Sequence, residues 1–233
     1  MINDSRTISA FGTKFLGDAR HPEKIFQALK ELNVSYRKII IPEQIHSTNI
    51  SVFELQNPSE IEKLSETDGV ITKEDTVVLT VITGDCVPMI FSDKKTGTIG
   101  ISHQGWRGTL KKMVRKMINK MQEMKSKKED IFVAIGPSIG VCCYDISDDR
   151  YYTFMSELDG YSGKIFFSYN GKRHLNIPLL NYLLLTEAGI PEKNIDSFPF
   201  CTKCDAERFF SFRRDGKKDY GEMLSFIVKR ASS

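Results

Sequence analysis

The sequence predicts an α+β protein built as one layered domain. Several segments have the β-branched and aromatic enrichment of strands, and others have the spacing or the end signals of helices. The two kinds of segment interleave without a regular strand–helix–strand alternation, which favours an α+β arrangement of packed layers. The 233-residue chain is long enough to bury one sizeable core. It has no Pro/Gly/Ser-rich linker and no clear repeat, so we expect residues 1–233 to form one domain.

The predicted strands are short runs rich in valine, isoleucine, threonine and phenylalanine. Such side chains pack well on a pleated, half-buried surface. The runs lie at 37–41, 49–54, 76–82, 97–102, 130–135, 164–169 and 223–228. The run at 97–102 is apolar enough to be a buried strand.

Three helices are predicted between these strands. The first, 22–32, has Pro22 at a first-turn position, and another, 178–189, stops at Gly189. The longest follows Leu110, with lysines on one face and a regularly spaced apolar face. That apolar face consists of Met113, Val114, Met117, Ile118, Met121 and Met124. Lysine-rich amphipathic helices also bind membrane surfaces, but we expect a solvated face over a methionine-lined core.

Composition argues against several classes of function. The net charge of +3 is too small to indicate a nucleic-acid partner. The start, "MINDSRTISAF", lacks the apolar core of a signal peptide, and no stretch approaches the ~18 to 20 apolar residues of a membrane span. We therefore expect a cytoplasmic protein without a membrane or nucleic-acid partner. In that reducing compartment, five cysteines are better explained by packing or metal binding than by disulfides.

Three candidate metal ligands lie beside predicted strands. His46 in "PEQIHST" precedes a strand, Cys86 in "TGDCVPM" follows the run 76–82, and His103 in "GISHQGWRG" ends the run 97–102. Two imidazoles and a thiolate suit zinc with an open fourth position, as in catalytic sites, and they also suit copper. Spacing alone supports equally well a small buried cysteine and two structural histidines.

Four motifs carry a resemblance to a known family: "TGDCVPMIFSD", "GISHQGWRGTL", "AIGPSIGVCCYDI" and "CTKCDAERFFSFRRDG". In this order they resemble the signatures of the bacterial laccase-domain family, long described as polyphenol oxidases and now regarded as zinc-dependent purine nucleoside phosphorylases with adenosine deaminase activity. The resemblance implies an α/β/β/α domain with mixed sheets and a zinc ion bound by His46, Cys86 and His103. It also implies purine nucleosides and phosphate as substrates, and it leaves the preferred nucleoside and the oligomeric state open.

The chain departs from the family pattern at three places. Gly84 stands where the family usually has alanine, and Asn176 stands at the position of a usual aspartate. The segment "AFGTKFLGD" lacks the usual glycine-rich signature. These departures leave the metal ligands in place and concern substrate contacts only.

Arg107 is the predicted phosphate anchor. Phosphorolysis needs phosphate held against the anomeric carbon, and a planar guanidinium binds it in a bidentate way. Trp106, beside it, is expected to pack the loop or to line the purine pocket. Arg213 and Arg214 are further candidates, with a surface ion pair to Asp215 as the alternative that we favour for Arg214.

Asp85 is the predicted carboxylate of the site. Deamination needs an activated water and a carboxylate that carries a proton without binding the metal. Asp85 lies next to Cys86 and has either that role or the role of orienting a ligand histidine. The predicted catalytic residues are therefore Asp85, Cys86, His103 and Arg107.

Other functions remain as alternatives. A hydrolase of a cell-wall precursor amide, with Cys86 as nucleophile and His103 as base, uses the same pair of side chains. A copper polyphenol oxidase needs many imidazole ligands, and only His21 and His174 remain after the first two histidines. A non-enzymatic protein that keeps zinc for stability would use a closed site, and the fourth ligand is missing.

The other four cysteines, in "GVCCYD" and "CTKC", have the composition of a second, structural zinc site. Adjacent cysteines such as Cys142 and Cys143 normally point apart, and four-cysteine sites normally present two spaced pairs. We therefore expect no second site.

Overall fold

The computed structural model describes residues 6–55 and 60–231, and these contain three β-sheets. Residues 1–5, which begin the segment used in the signal-peptide argument, lie outside the described residues. The strands are β1 (Thr7–Phe11), β2 (Lys38–Pro42), β3 (Ile50–Phe53), β4 (Ile61–Leu64), β5 (Gly69–Thr72), β6 (Val77–Thr83), β7 (Val87–Asp93), β8 (Thr98–Gln104), β9 (Ile131–Ile135), β10 (Asp145–Ile146), β11 (Phe166–Tyr169), β12 (Lys172–Leu175), β13 (Ile195–Ser197) and β14 (Met223–Lys229).

The helices lie mostly in the second half of the chain. They are α1 (Pro22–Glu31), α2 (Trp106–Leu110), α3 (Met113–Glu123), α4 (Asp148–Leu158), α5 (Ser162–Ile165), α6 (Ile177–Glu187) and α7 (Phe212–Asp219). The backbone breaks α7 at Gly216, where φ is 75°. No described helix is long and apolar enough to cross a membrane.

Both large sheets contain parallel and antiparallel pairs. The five-stranded sheet has the order β1-β14-β6-β2-β4, and the six-stranded sheet has the order β13-β9-β7-β8-β5-β3. A small antiparallel sheet, β10-β12-β11, lies beside them. The predicted mixed sheets are therefore confirmed.

Three apolar cores, formed by the residues that the structure describes, define the layers. One core lies between the large sheets, with Leu79 of β6 in the same cluster as Ile101 of β8. A second packs α1, through Leu29, on the outer face of the five-stranded sheet. The third packs α3 and α6 against the six-stranded sheet. The order helix, sheet, sheet, helix is the α/β/β/α arrangement that the family resemblance implies.

The strongest periodic signals match observed elements. The predicted helix 22–32 corresponds to α1, 178–189 corresponds to α6, and α3 buries its methionines as expected. The predicted strand 164–169 is only half right, because residues 162–165 form the short helix α5 before β11 begins. Ile165 explains this, since the helical turn places its side chain, 0% exposed, in the core.

Candidate metal centre

The sheet topology brings Cys86 and His103 together. The chain leaves the five-stranded sheet at the end of β6, passes through Cys86 and enters the six-stranded sheet as β7. There β7 pairs antiparallel with β8, and Pro88 lies opposite His103. The strand that places Cys86 beside His103 is therefore β7, which follows the cysteine, and not the preceding run 76–82.

His46 completes the cluster from the loop between β2 and β3. Its backbone φ is 60°, in the left-handed region, and its ring meets the His103 ring edge-on with centroids 4.7 Å apart. The Cys86 Sγ lies 3.9 Å from the His46 Nε2. One ligand atom of each of the three residues lies within 4.8 Å of the others. The structure thus brings together the three ligands that the sequence predicted.

A buried carboxylate that the sequence did not reveal, Asp68, holds this cluster. It is 0% exposed, and its Oδ1 lies 2.8 Å from the Nδ1 of His103. The same carboxylate accepts hydrogen bonds from the backbone N–H groups of Ile45, His46 and Ser47 and from the Ser47 hydroxyl. Because Nδ1 is engaged, Nε2 is the nitrogen of His103 left for a metal.

Gly105 explains part of the glycine content of "GISHQGWRG". It has an ordinary φ of −69°, so positive φ is not the reason for glycine here. A Cβ at this position would lie only 2.7 Å from the His46 Cδ2 and 3.5 Å from the Cys86 Sγ. The backbone before α2 therefore packs directly against the ligand side chains.

The ionised forms of Cys86, His103 and Asp68 stabilise one another. Burial alone would raise the pKa of the Cys86 thiol, but the nearby histidines, His103 above all, lower it to about 7. Burial would lower the pKa of His103, but Cys86 and Asp68 raise it to about 10. Burial opposes ionisation of Asp68 too, yet its bonds from His103 and Ser47 lower its pKa to about 2. The metal-free cluster thus favours a thiolate in contact with an imidazolium.

The donor set fits a tetrahedral metal ion with three protein ligands. Zinc bonds of about 2.0–2.3 Å to nitrogen and sulfur give separations of roughly 3.3–3.8 Å between the ligand atoms of such a site. The 3.9 Å between Cys86 and His46 is close to that range. Three ligands leave a fourth position open, which is typical of catalytic zinc.

The cluster opens into a cavity of about 650 Å³. Trp106, the first residue of α2, lines one part of it, and Phe212 and Tyr220, whose rings lie 5.0 Å apart, line another. Tyr144 contributes a further aromatic ring. A cavity of this size with several aromatic walls suits a flat, partly apolar ligand.

Arginines supply positive charge to the cavity. The guanidinium carbons of Arg107 and Arg150 lie 4.5 and 4.4 Å from the Trp106 ring centroid. Within the described part of the chain, no carboxylate lies within 4 Å of either guanidinium. Arg213 also lines the cavity, but it donates to the Asp145 carboxylate at 2.6 Å. Arg107 and Arg150 are therefore the cations available to an anion.

Arg214 has the structural role that we favoured. Its Nε donates to Asp215 at 2.6 Å, and its other nitrogens donate to the backbone carbonyls of Thr202, Lys203 and Phe209. It does not line the cavity.

Asp85 lies in the cavity wall but does not hold a ligand histidine, so that alternative is wrong. Its Oδ1 accepts the Thr202 hydroxyl at 2.6 Å, and its Oδ2 accepts the backbone N–H of Arg213 at 2.7 Å. Glu222, the residue before β14, is a half-buried carboxyl that also lines the cavity, and its partial burial raises its pKa. No local motif marks Glu222, which the sequence reasoning missed.

Two departures from the family pattern have simple structural explanations. An alanine Cβ at Gly84 would meet nothing nearer than 3.5 Å, so glycine is not required there. Asn176 caps α6, and its Oδ1 accepts the backbone N–H of Leu179 at 3.1 Å. Aspartate caps a helix equally well, so this change preserves the local fold.

The expectation that the adjacent cysteines Cys142 and Cys143 point apart is wrong. The described residues contain a second group of potential ligands, Cys142, Cys143, Cys201 and Cys204, whose sulfurs lie within 4.8 Å of one another. The adjacent pair lies in a turn rather than a strand, so the two side chains do not point apart.

The two remaining histidines lie outside both groups. His21 is exposed beside Glu23, and the Nδ1 of His174 lies 2.7 Å from the carbonyl oxygen of Val141. Neither adds an imidazole to the cluster of His46, Cys86 and His103.

The fold and site define an α/β/β/α sandwich protein with a two-histidine, one-cysteine centre beside an aromatic cavity. Residues 18–230 match the multi-copper polyphenol oxidoreductase laccase family, and the chain belongs to that family. The chain is 31% identical over 225 residues to a purine nucleoside phosphorylase of Bacteroides thetaiotaomicron, an alignment covering 93% of this chain and 83% of that protein.

Other relatives show the same similarity. The purine nucleoside phosphorylase YlmD of Bacillus subtilis is 36% identical over 70% of this chain and 59% of its own length. The adenosine deaminase RL5, from an unknown prokaryotic organism, is 29% identical over 80% of this chain and 73% of its own length. The crystal structure of YlmD from Geobacillus stearothermophilus superposes with a TM-score of 0.86 at 27% identity, covering 97% of this chain and 93% of that one.

Replacing Asp68 tests whether it orients the ligands. Asp68→Asn places an amide where the carboxylate accepts from His103 and from several N–H donors, so we expect metal affinity to fall by about 10- to 100-fold. The measurement is competition for zinc against a chelator of known affinity.

Asp93→Asn is the matched control. Asp93 is also buried and accepts hydrogen bonds from Lys95 and Thr96, away from the cluster. Both variants should lose stability, by roughly 1–3 kcal/mol. Equal metal affinity in the Asp68 variant and the wild type would contradict the role of Asp68.

Proposed function

We propose that this protein is a zinc-dependent purine nucleoside phosphorylase with adenosine deaminase activity. The observation that carries this proposal is the three-ligand cluster at one side of a cavity with aromatic walls and two arginines without carboxylate partners. The names of the relatives support the same two activities. Adenosine, inosine, guanosine and methylthioadenosine are the proposed substrates, in a cytoplasmic setting that keeps the free cysteines reduced.

Zinc is the proposed metal at His46, Cys86 and His103. When bound there, it would supply a Lewis acid that activates water and polarises the substrate. Copper is disfavoured, since a multicopper oxidase needs more imidazoles than this cluster contains. The Asp68 carboxylate keeps His103 in the tautomer that presents Nε2 to the metal.

In phosphorolysis, a phosphate oxygen attacks the anomeric carbon and the bond from that carbon to the purine nitrogen breaks. The bonding electron pair leaves with the purine, which takes up a proton, and ribose 1-phosphate forms. Arg107 and Arg150 would hold the phosphate, because both guanidiniums stack on Trp106. Arg150 donates one N–H to the Tyr144 hydroxyl at 3.4 Å and keeps its other N–H groups for the anion. Trp106, Phe212 and Tyr220 would enclose the purine.

In deamination, water adds to the purine ring and ammonia leaves from the same carbon. A group in the cavity must take a proton from the water and give one to the amine. Glu222 is the best candidate, because it lines the cavity and its burial raises its pKa. Asp85 is less suited, since both of its oxygens accept hydrogen bonds that hold the cavity wall.

The products formed with and without phosphate test the proposed activities. With adenosine and phosphate, we expect adenine, ribose 1-phosphate and inosine, together with hypoxanthine from phosphorolysis of that inosine. Without phosphate, only inosine should form, since deamination needs water alone. Chromatography of the products is the measurement, and His103→Ala should abolish both reactions. Near wild-type activity of that variant, or loss of deamination when phosphate is removed, would contradict the shared centre.

Arg107→Lys tests the phosphate anchor. The variant keeps the charge but loses the planar fork, so we expect the KM for phosphate to rise by about 10- to 100-fold while zinc content stays at the wild-type level. The control is Arg115→Lys on α3, where Arg115 pairs with Glu187 outside the cavity. An unchanged KM for phosphate in the Arg107 variant would contradict this assignment.

Glu222→Gln tests the proton carrier. We expect the kcat for adenosine deamination to fall by about 100-fold or more, because the amide cannot exchange the proton. Phosphorolysis of inosine should fall much less. The control is Glu43→Gln, which changes an exposed carboxylate on the same cavity. Equal losses in both variants or in both reactions would remove Glu222 from this role.

One observation supports a second candidate function, a cysteine hydrolase of a cell-wall precursor amide. The pKa of Cys86 is lowered to about 7 beside His103, which also suits a nucleophilic thiolate. Activity measured in metal-free protein distinguishes the two functions. A nucleophilic Cys86 should support turnover and be alkylated readily in metal-free protein, whereas a ligand cysteine should not support turnover without zinc.

A further inference from the structure

Four cysteine sulfurs converge outside the centre of His46, Cys86 and His103. The Sγ atoms of Cys142 and Cys143 lie 3.5 and 3.3 Å from the Sγ of Cys204. Cys201 joins them, so all four sulfurs lie within 4.8 Å of one another. All four are free thiols in the structure, although they come from segments about 60 residues apart.

We propose that Cys142, Cys143, Cys201 and Cys204 bind a second zinc ion in a closed, structural site. Zinc–sulfur bonds of about 2.3 Å in a tetrahedron place the sulfurs about 3.8 Å apart. The two shortest contacts, 3.5 and 3.3 Å, are slightly below that value and all four sulfurs lie within 4.8 Å of one another, so small side-chain adjustments would complete the geometry. Four thiolates select a soft, thiophilic metal and leave no open position for substrate.

Two tight turns present the ligands. In the first, the backbone N–H groups of Cys143 and Tyr144 both donate to the carbonyl of Gly140 at 3.0 Å. In the second, the N–H of Asp205 donates to the carbonyl of Cys201 at 3.0 Å, which closes the Cys-x-x-Cys segment. The turn at 140–144 allows two adjacent cysteines to face the same point.

Gly140 packs directly against the four cysteines. Its N–H donates to the Cys201 Sγ at 3.2 Å, an interaction that stabilises a thiolate. A Cβ on this residue would lie 3.1 Å from the Cys201 Cβ and 3.3 Å from the Cys142 Sγ, so the close approach of the turns favours glycine.

Arg214 holds the second turn in place. It donates to the carbonyls of Thr202 at 3.0 Å and Lys203 at 3.3 Å, both between the ligands Cys201 and Cys204. Its guanidinium is itself held by the ion pair with Asp215. These contacts fix the turn that carries half of the ligands.

The site would hold the cavity wall together. Thr202, inside the second turn, donates to Asp85, which adjoins the ligand Cys86. Tyr144, directly after the first turn, lines the cavity. A metal that joins the two turns therefore fixes both residues relative to the centre of His46, Cys86 and His103.

A disulfide is the competing state of these thiols. It would need an oxidant, and the two sulfurs would have to approach from more than 3 Å to about 2.05 Å. One disulfide would leave two thiols unused and two disulfides would need twice the oxidant, whereas one zinc ion engages all four sulfurs without a change of oxidation state.

Zinc content of the purified full-length protein tests the proposal. We expect two zinc ions per chain in the wild type, one in Cys204→Ser or Cys142→Ser, and one in Cys86→Ala. Lys203→Ala, in the same turn, is the matched control and should keep both ions. Cys204→Ser should also unfold at a lower temperature than Lys203→Ala, because it loses the metal link between the turns.

X-ray absorption at the zinc edge measures the average number of sulfur ligands per zinc ion. It is done on the wild type, so the test does not depend on a variant that fails to fold. Five sulfur ligands shared by two zinc ions give an average near 2.5 sulfurs per zinc, whereas the first centre alone gives one. Counting the free thiols of the protein shows whether these four cysteines are reduced or oxidised to disulfides. One zinc ion per chain with a single sulfur ligand, whether the other four thiols are free or oxidised, would overturn the proposal. The result does not depend on nucleoside turnover, so failure of the proposed function leaves it intact.

Discussion

The candidate site depends on one buried carboxylate. Asp68 forms a hydrogen bond with the His103 imidazole and accepts others from the backbone N–H groups of residues 45–47. It therefore joins the strand that carries His103 to the loop that carries His46. An ionised carboxylate at 0% exposure is costly unless donors surround it, and here the donors are the ligand-bearing segments themselves. The positive φ of His46 is maintained in the same way, by hydrogen bonds from its own segment to Asp68.

The two sheets then determine where the third ligand lies. Cys86 stands in the crossing from β6 to β7, where the chain passes from one large sheet to the other. The pairing of β7 with β8 sets its distance from His103, and Gly105 allows the backbone to approach both histidines. The centre is therefore built from a junction of layers, and the cavity forms beside that junction.

The sequence predicted what is local or carried by motifs. The spacing of Met113, Met117 and Met121 predicted α3, and residue type with family resemblance predicted His46, Cys86 and His103. Asp68 was missed because its partner His103 is 35 residues away and nothing in its own segment marks it as an acceptor. Arg150 and Glu222 were missed for the same reason, since only the tertiary fold brings them to the cavity.

The cysteine turns show the limit of local rules most clearly. Adjacent side chains alternate in a strand, and that rule predicted that Cys142 and Cys143 point apart. The turn after Gly140 removes the alternation, and the bridge between Ser138 and Cys201 brings the second pair of cysteines into reach. Such contacts depend on which distant segments the fold places side by side.

The central claim is that one zinc ion at His46, Cys86 and His103 serves both reactions. Its most direct test is a titration of zinc into metal-free protein carrying Cys204→Ser, followed by measuring phosphorolysis and deamination at each point. We predict that both activities are absent without metal, rise in parallel and reach their plateaus together at one zinc per chain. Turnover in the metal-free protein, or plateaus at different zinc contents, would contradict the claim.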